Sequence, residues 1–579
     1  MLEIFYNSQD LKYKSPFGAL KSSSLANFRL DVECDVDVKA FMSFNKQLIE
    51  MKRASLDGHF YTFEYTYNVP QEPGLVYYHF VIETPYHRVF YGNNSDRLQA
   101  IGKKYDISPI DYQITVYDDF TVPKWAKGKI MYQIFPDRFY KEEILKSPFW
   151  DRYFHENWDD LPFIEGDFPS KTMENSDFFG GNLRGIINKL DYIQGLGVGI
   201  IYLNPIYRAY SNHRYDLADY MSIDDSLGTK DDLKELCDKA KKRGIHIILD
   251  MVFSHTGSDS IYFNKKNTFE SLGAYKHKDS PYRSWYTFLP HGKYESWWGI
   301  DTLPNVDETN PTFIKHILDS LEMWMDLGVK GFRLDVADEL PDDLIKAIRR
   351  KIKDIDPESI LIGEVWEDAS NKESYGVKRE YLFGYELDSV MNYPFRKVLI
   401  DYSLGHIDGK TFCRQIMIIK ENYPKEVFEV LMNMLGTHDV SRILTLLGGQ
   451  WKLEGYPRKK QGKVKLNKEE YEKALKRLDF ILNLLVLLPG IVSIYYGDEA
   501  GLEGLKDPFN RKTFPWDKIN EEVMEIYKKA LEKRSNSELL KYGDFCIFEK
   551  DQLVFIERYY MNESITYSFD NNKIQYKEI

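Results

Sequence analysis

The spacing of apolar residues changes along this chain, and the change divides it. Near the start, Phe28, Leu30, Val32, Cys34 and Val36 alternate with polar neighbours, which is the period of a half-buried strand. The stretches HFYTFEYTY and LVYYHFVIE follow, with turn residues between them. Several short strands of this kind predict a β-sandwich over residues 1–124. The segment TVPKWAKGK, Thr121 to Lys129, reads as a linker.

Beyond Lys129 the period lengthens, and helices alternate with short apolar strands. Thr229 caps a helix with its stripe at Leu233, Leu236 and Ala240; Gly244 ends it, and the strand HIILD runs to Asp250. Asn310 and Pro311 open a second helix with Phe313, Ile314, Ile317, Leu318, Leu321 and Trp324 inward. Gly328 stops it, and GFRLD ends at Asp335. A third helix, from Pro341, leads to ILIGE, ending at Glu364. Helix, glycine stop, apolar strand and a polar residue at the strand's carboxyl end form a unit whose repetition implies a parallel sheet. The fold class is α/β: a (β/α)8 barrel over residues 125–540, with a polar, aromatic insert at 256–309 after the third strand. The tail, 541–579, returns to strand-like text and predicts a short β-domain.

At 579 residues the chain is too long for one core. Its 77 basic against 90 acidic residues leave a net charge of −13, the wrong sign for a nucleic-acid or anionic-membrane partner. Cys34, Cys237, Cys413 and Cys546 lie far apart with no CxxC spacing, so neither a zinc site nor a disulfide framework is expected. The start MLEIFYNSQD lacks an apolar core, and the run LNLLVLLPGIVSIYY is broken by Pro489 and Gly490. The expected location is the cytoplasm. The 42 Tyr, 35 Phe and 10 Trp are explained mostly by large cores, although sugar clefts also use aromatic faces.

In a (β/α)8 barrel, catalytic side chains stand at the carboxyl ends of different strands. Asp335 in GFRLDVADE, Glu364 in LIGEVWEDAS and Asp439 in MLGTHDVSR occupy such places. One strand-end acid commonly caps the following helix. Three of them, flanked by Arg333 and His438, are harder to explain that way. Cleavage of a glycosidic bond asks for two carboxyls, one ionised and one protonated, around an oxocarbenium-like transition state.

GFRLDVADE, LIGEVWED, NMLGTHDVSR and DMVFSHTG resemble the four signature segments of the α-amylase family of glycoside hydrolases, and IMYQIFPDRF, LNPIY and SIYYGDEAGLEG follow in the family's order. The N-terminal sandwich and SNHRYDLADY resemble the neopullulanase, cyclomaltodextrinase and maltogenic amylase group. The resemblance implies Asp335 as nucleophile, Glu364 as general acid and then base, and Asp439 as a ligand of sugar hydroxyls. It implies that Arg333, on the same strand face as Asp335, keeps the nucleophile ionised, and that His255 and His438 bind hydroxyls at the cleavage point. Tyr215 is expected beneath that sugar, Asp216 as a loop support, and Asp507 with Arg511 around the next unit. Trp366, Trp285, Trp297 and Trp298 are expected on the acceptor side, with packing inside the insert as the plain alternative for each.

The family's calcium ligands are missing: Ser254 stands where relatives carry asparagine, and the loop FYKEEILKSPF offers few oxygens. No cofactor is expected. The substrate implied is an α-glucan oligosaccharide cut at α-1,4 bonds, with α-1,6 bonds, pullulan and cyclodextrins left open, as is a homodimer. Glucan transfer through the same intermediate and an inactive, amylase-like binding protein are the competing readings.

Overall fold

The computed structural model describes residues 2–164 and 175–579. It divides into two units. One comprises residues 1–121 together with 368–388 and 410–428, and the other comprises 122–367, 389–409 and 429–579. The segments 368–388 and 410–428 thus group with the sandwich, although they fall within the span 125–540 expected for the barrel.

In the first unit, strands Leu2–Phe5, Leu25–Cys34, Phe60–Asn68 and Lys52–Asp57 form one antiparallel sheet. Strands Arg88–Gly92, Gly74–Glu83 and Tyr112–Tyr117 run through the middle of the other. Phe28, Leu30 and Val32 join Tyr78, Phe80 and Ile82 in one core. The alternation fails once, at Asp31, which is buried between two core residues. It is tolerated because Lys12, Arg29 and Thr62 all donate to its carboxylate.

The second unit is built on eight parallel strands: β1 (Ile130–Ile134), β2 (Ile200–Leu203), β3 (His246–Met251), β4 (Gly331–Leu334), β5 (Ile360–Gly363), β6 (Ser389–Val390), β7 (Met432–Met434) and β8 (Ile491–Tyr495). They are ordered β6-β5-β4-β3-β2-β1-β8-β7, and a parallel bridge between Met391 and Met432 joins the two edges into a barrel. Gly331 is required where β4 meets β5, because a Cβ there would lie 2.3 Å from the Ile360 carbonyl oxygen. The predicted helices stand where their caps place them. Lys230–Lys242 begins with a full capping box of Thr229 and Asp232, Pro311–Asp326 is capped by Asn310, and Asp342–Ile355 follows Pro341. In the second of these, Phe313, Ile317, Leu321 and Trp324 are buried, while Ile314 and Leu318 are only half-buried at the edge of the stripe.

The insert after β3 is held by short 3-10 turns and isolated bridges, among them His255 to Asn305. The C-terminal strands Asp544–Lys550, Leu553–Tyr560, Glu563–Asp570 and Gln575–Glu578 form an antiparallel meander within the same unit as the barrel. Among the described residues no helix is long and apolar enough to cross a membrane.

Candidate active site

The register of the barrel builds the site. Asp250 on β3 pairs with Arg333 on β4, and Arg333 pairs with Ile362 on β5. Arg333 is wholly buried, and its guanidinium organises three acids. Nη1 lies 2.6 Å from Asp250 Oδ1 and 2.7 Å from Asp335 Oδ1, while Nη2 lies 2.8 Å from Glu364 Oε2. A planar guanidinium presents such a fork without rotating; an ammonium does not.

Asp335 and Glu364 each follow the last residue of a strand, so main-chain bonds fix their backbone. Asp335 N–H donates to Met251 O at 2.8 Å and Glu364 N–H to Leu334 O at 3.0 Å. Val336, next to Asp335, sits at φ 40°, ψ 61°, a left-handed conformation that is costly for a β-branched residue. That turn accompanies a 2.8 Å hydrogen bond from Val336 N–H to Glu364 Oε2, so backbone strain is stored between the two carboxyls.

Burial raises the Asp335 carboxyl well above its ordinary range; Arg333 opposes this, while Glu364 and Asp250 add to it. Burial also raises Asp250 against Arg333 and the hydroxyls of Tyr202 and Tyr215. Asp439 is pushed up to about 7, first by burial and then by Glu364, with Arg511 and Arg333 working the other way. At Asp250, Asp335 and Asp439 burial favours the neutral form and the Arg333 charge favours the ionised one. A site that must both donate a proton and attack as an anion needs that arrangement.

The other predicted residues gather around this cluster. Tyr215 donates to Asp250 Oδ2 at 2.8 Å and hydrogen-bonds His438 Nε2; its ring stacks on His438 with centroids 5.4 Å apart. Gln133 Nε2 lies 2.9 Å from His438 Nδ1. The amide donates there, so the network assigns the imidazole proton to Nε2. Burial holds His438 well below its ordinary pKa and takes His255 down to about 4, so both rings are neutral. Arg511 ties Asp507 (3.1 Å) to Asp439 (3.7 Å). Asp216 accepts from the backbone and hydroxyl of Ser211, a loop support as expected. Trp366 donates its indole N–H to Glu364 Oε1 at 3.2 Å.

Two expectations change. His255 has both ring nitrogens engaged by the protein, Nδ1 with Ser254 Oγ at 3.0 Å and Nε2 with Tyr215 O at 3.1 Å. In this structure it braces the Tyr215 loop. Trp285 is not a wall of the cleft: it is 2% exposed, donates to Thr312 Oγ1 and packs on Tyr262 and Phe313. Trp297 and Trp298 stack at 4.7 Å and 9°, leading from His255 out to Trp298, which is 74% exposed. Sequence reasoning overlooked Asp250, the acid that completes the shell of Arg333. Its signal was present, a polar residue near the end of a strand that is otherwise apolar.

A closed parallel barrel with several acids gathered on one arginine at the carboxyl ends of its strands defines a glycosidase-type site. The profile of the α-amylase catalytic domain matches residues 133–537, and this chain belongs to the α-amylase family of glycoside hydrolases, as its motifs imply. An amylopullulanase from Thermoanaerobacterium saccharolyticum is 36% identical over 601 residues, covering 94% of this chain and 45% of that protein. A cyclomaltodextrinase from Geobacillus thermopakistaniensis is 33% identical over 448 residues, covering 76% and 67%. The chain spans less than half the length of the amylopullulanases it matches. Among solved structures, the type III pullulan hydrolase from Thermococcus kodakarensis superposes with a TM-score of 0.67 at 25% identity, covering 98% of this chain and 94% of that one.

Proposed function

We propose that this chain carries out retaining hydrolysis of α-1,4 and α-1,6 glucosidic bonds in maltodextrins, cyclodextrins or pullulan. The observation that carries the reading is the single guanidinium of Arg333 touching both Asp335 and Glu364. Two carboxyls on one guanidinium support a retaining mechanism, which asks for a separation of ~5–5.5 Å. Asp335 attacks the anomeric carbon while Glu364 gives its proton to the departing glycosidic oxygen, leaving a β-glycosyl ester on Asp335. Glu364, now ionised, takes a proton from water, whose oxygen attacks the same carbon and frees Asp335. Asp439, held by Arg511, and His438, held by Gln133, bind hydroxyls of the cleaved sugar, and Tyr215 lies beneath it.

No metal enters this scheme, since the chain supplies few oxygens at the positions where its relatives hold calcium. The four cysteines are free, three of them buried, which supports a reducing compartment such as the cytoplasm. The test is the anomer first released from maltotetraose or pullulan, followed by proton NMR before mutarotation. The α-anomer is expected; a β-anomer rules out the double displacement.

A further inference from the structure

The two oxygens of Glu364 have different surroundings. Oε2 receives the Val336 main-chain N–H at 2.8 Å and faces Arg333 Nη2 at 2.8 Å. A proton on Oε2 would have to displace one of these donors. Oε1 faces the indole N–H of Trp366 at 3.2 Å. Trp366 is 46% exposed, and an exposed side chain would ordinarily lose that geometry to rotamer motion. It does not move freely here, because its ring lies flat on Tyr393, with centroids 3.8 Å apart and 7° between planes. Tyr393 is buried and opens the helix Tyr393–Leu404 after β6. The preceding Asn392 caps that helix through Phe395 N–H and donates to Asn433 Oδ1 on β7. The indole is therefore positioned from the barrel wall.

Resting on the glycosidase reading above, we infer that Trp366 is a positioning residue for proton transfer, its Tyr393-clamped indole N–H holding Oε1 of Glu364 as the oxygen that passes the proton to the leaving sugar. In the first step the Oε1–H bond breaks as an O–H forms on the leaving sugar, and the electron pair of the broken C–O bond goes to that oxygen. Asp335 supplies the pair for the new C–O bond. The indole N–H then faces the carboxylate left on Glu364, and a donor to the charged form favours proton release. The other groups facing Glu364 are Arg333 and Asp335 from the β4 end, Tyr202 on β2, Asp439 beyond β7, and Tyr393 itself. Of these only Tyr393 touches the indole.

Trp366→Phe separates this role from that of an aromatic platform, since phenyl keeps the stack on Tyr393 and removes only the N–H. Two substrates are compared by kcat/KM, which reports formation of the glycosyl-enzyme: maltotriose, whose leaving group needs a proton, and α-maltosyl fluoride, whose leaving group does not. Maltotriose should fall about tenfold, the worth of one hydrogen bond, while the fluoride stays within twofold. The alkaline limb of the maltotriose pH profile should move to higher pH. Tyr393→Ala, which removes the clamp, should reproduce the Trp366→Phe pattern. Equal losses on both substrates in Trp366→Phe would make the ring a platform only. No loss on either would make the hydrogen bond idle. Wild-type protein that cleaves neither substrate sinks the glycosidase reading itself, which is a separate failure.

Discussion

Two groups of buried arginines lie at opposite ends of the barrel strands, and they are satisfied in opposite ways. At the carboxyl end Arg333 is surrounded by Asp250, Asp335 and Glu364. At the amino end Arg534 donates to the carbonyls of Gly128, Val486, Leu488 and Gly490, which precede β1 and β8, and to that of Leu540 in the helix Glu538–Tyr542. Beside it, Arg558 from the C-terminal meander donates to Leu487, Leu539, Leu540 and Gly543. Carbonyl dipoles satisfy hydrogen bonds without neutralising charge. Accordingly burial takes Arg534 well below its ordinary range, and Arg558 down to about 10, whereas the acids hold Arg333 well above it. One end can therefore move protons and the other can only bind backbone. In a (β/α)8 barrel the first arrangement serves chemistry and the second stability.

The largest expected effect tests the chemical end. Asp335→Asn keeps the shape of the side chain but cannot form the glycosyl ester, so kcat should fall by about 10⁴-fold or more on every substrate. In Glu364→Gln, by contrast, azide should accelerate turnover of α-maltosyl fluoride, because an anion attacks without a general base. Azide rescue of Asp335→Asn with retained configuration would exchange the two roles, because retention still needs a covalent intermediate on another carboxyl.

Arg333→Lys comes next. An ammonium cannot reach three carboxylates at once, and a loss of roughly 10²–10³-fold in kcat is expected. The comparison breaks if this variant loses melting temperature and keeps its kcat.

The amino end should behave in reverse. Arg534→Met leaves those carbonyls without their donor, at a cost of about 2–4 kcal/mol in urea unfolding, while kcat per folded molecule stays within twofold. A fall in kcat with an unchanged unfolding midpoint would erase the distinction between the ends.

Glu499 sharpens it further. This buried acid after β8 accepts from Tyr132 and Tyr192 through Oε1, while Oε2 meets no hydrogen-bond partner among the described residues. Burial raises it to about 7. A carboxyl raised in the folded state costs nothing below its unfolded pKa, and the cost grows as pH rises to the folded value. Wild-type stability should thus decline between about pH 4.5 and 7, and Glu499→Gln should flatten that decline by about 1–3 kcal/mol. Equal slopes in the two proteins would show that Glu499 is ionised in the fold.

The smallest effect is an expected absence of one. Excess chelator should leave melting temperature and activity unchanged; a drop restored by calcium would reveal ligands misread at Ser254 and FYKEEILKSPF.

The chain's sequence alone determined the barrel rhythm, the caps at Thr229 and Asn310, and the acids Asp335, Glu364 and Asp439 with their Arg333. Periodicity and capping are local properties of the backbone, and each of these acids sits in a short motif at a strand end. Tertiary structure alone decided the rest. Asp250 became part of the site because β3 and β4 pair in the register that sets it beside Arg333. Trp285 became core, and Trp366 was clamped by Tyr393, a residue from the next strand-to-helix turn. Residues 368–388, inside the expected barrel span of 125–540, packed with the sandwich. Each depends on which side chains meet across the fold, and no local pattern encodes that: a strand's period states which face is buried, not what it is buried against.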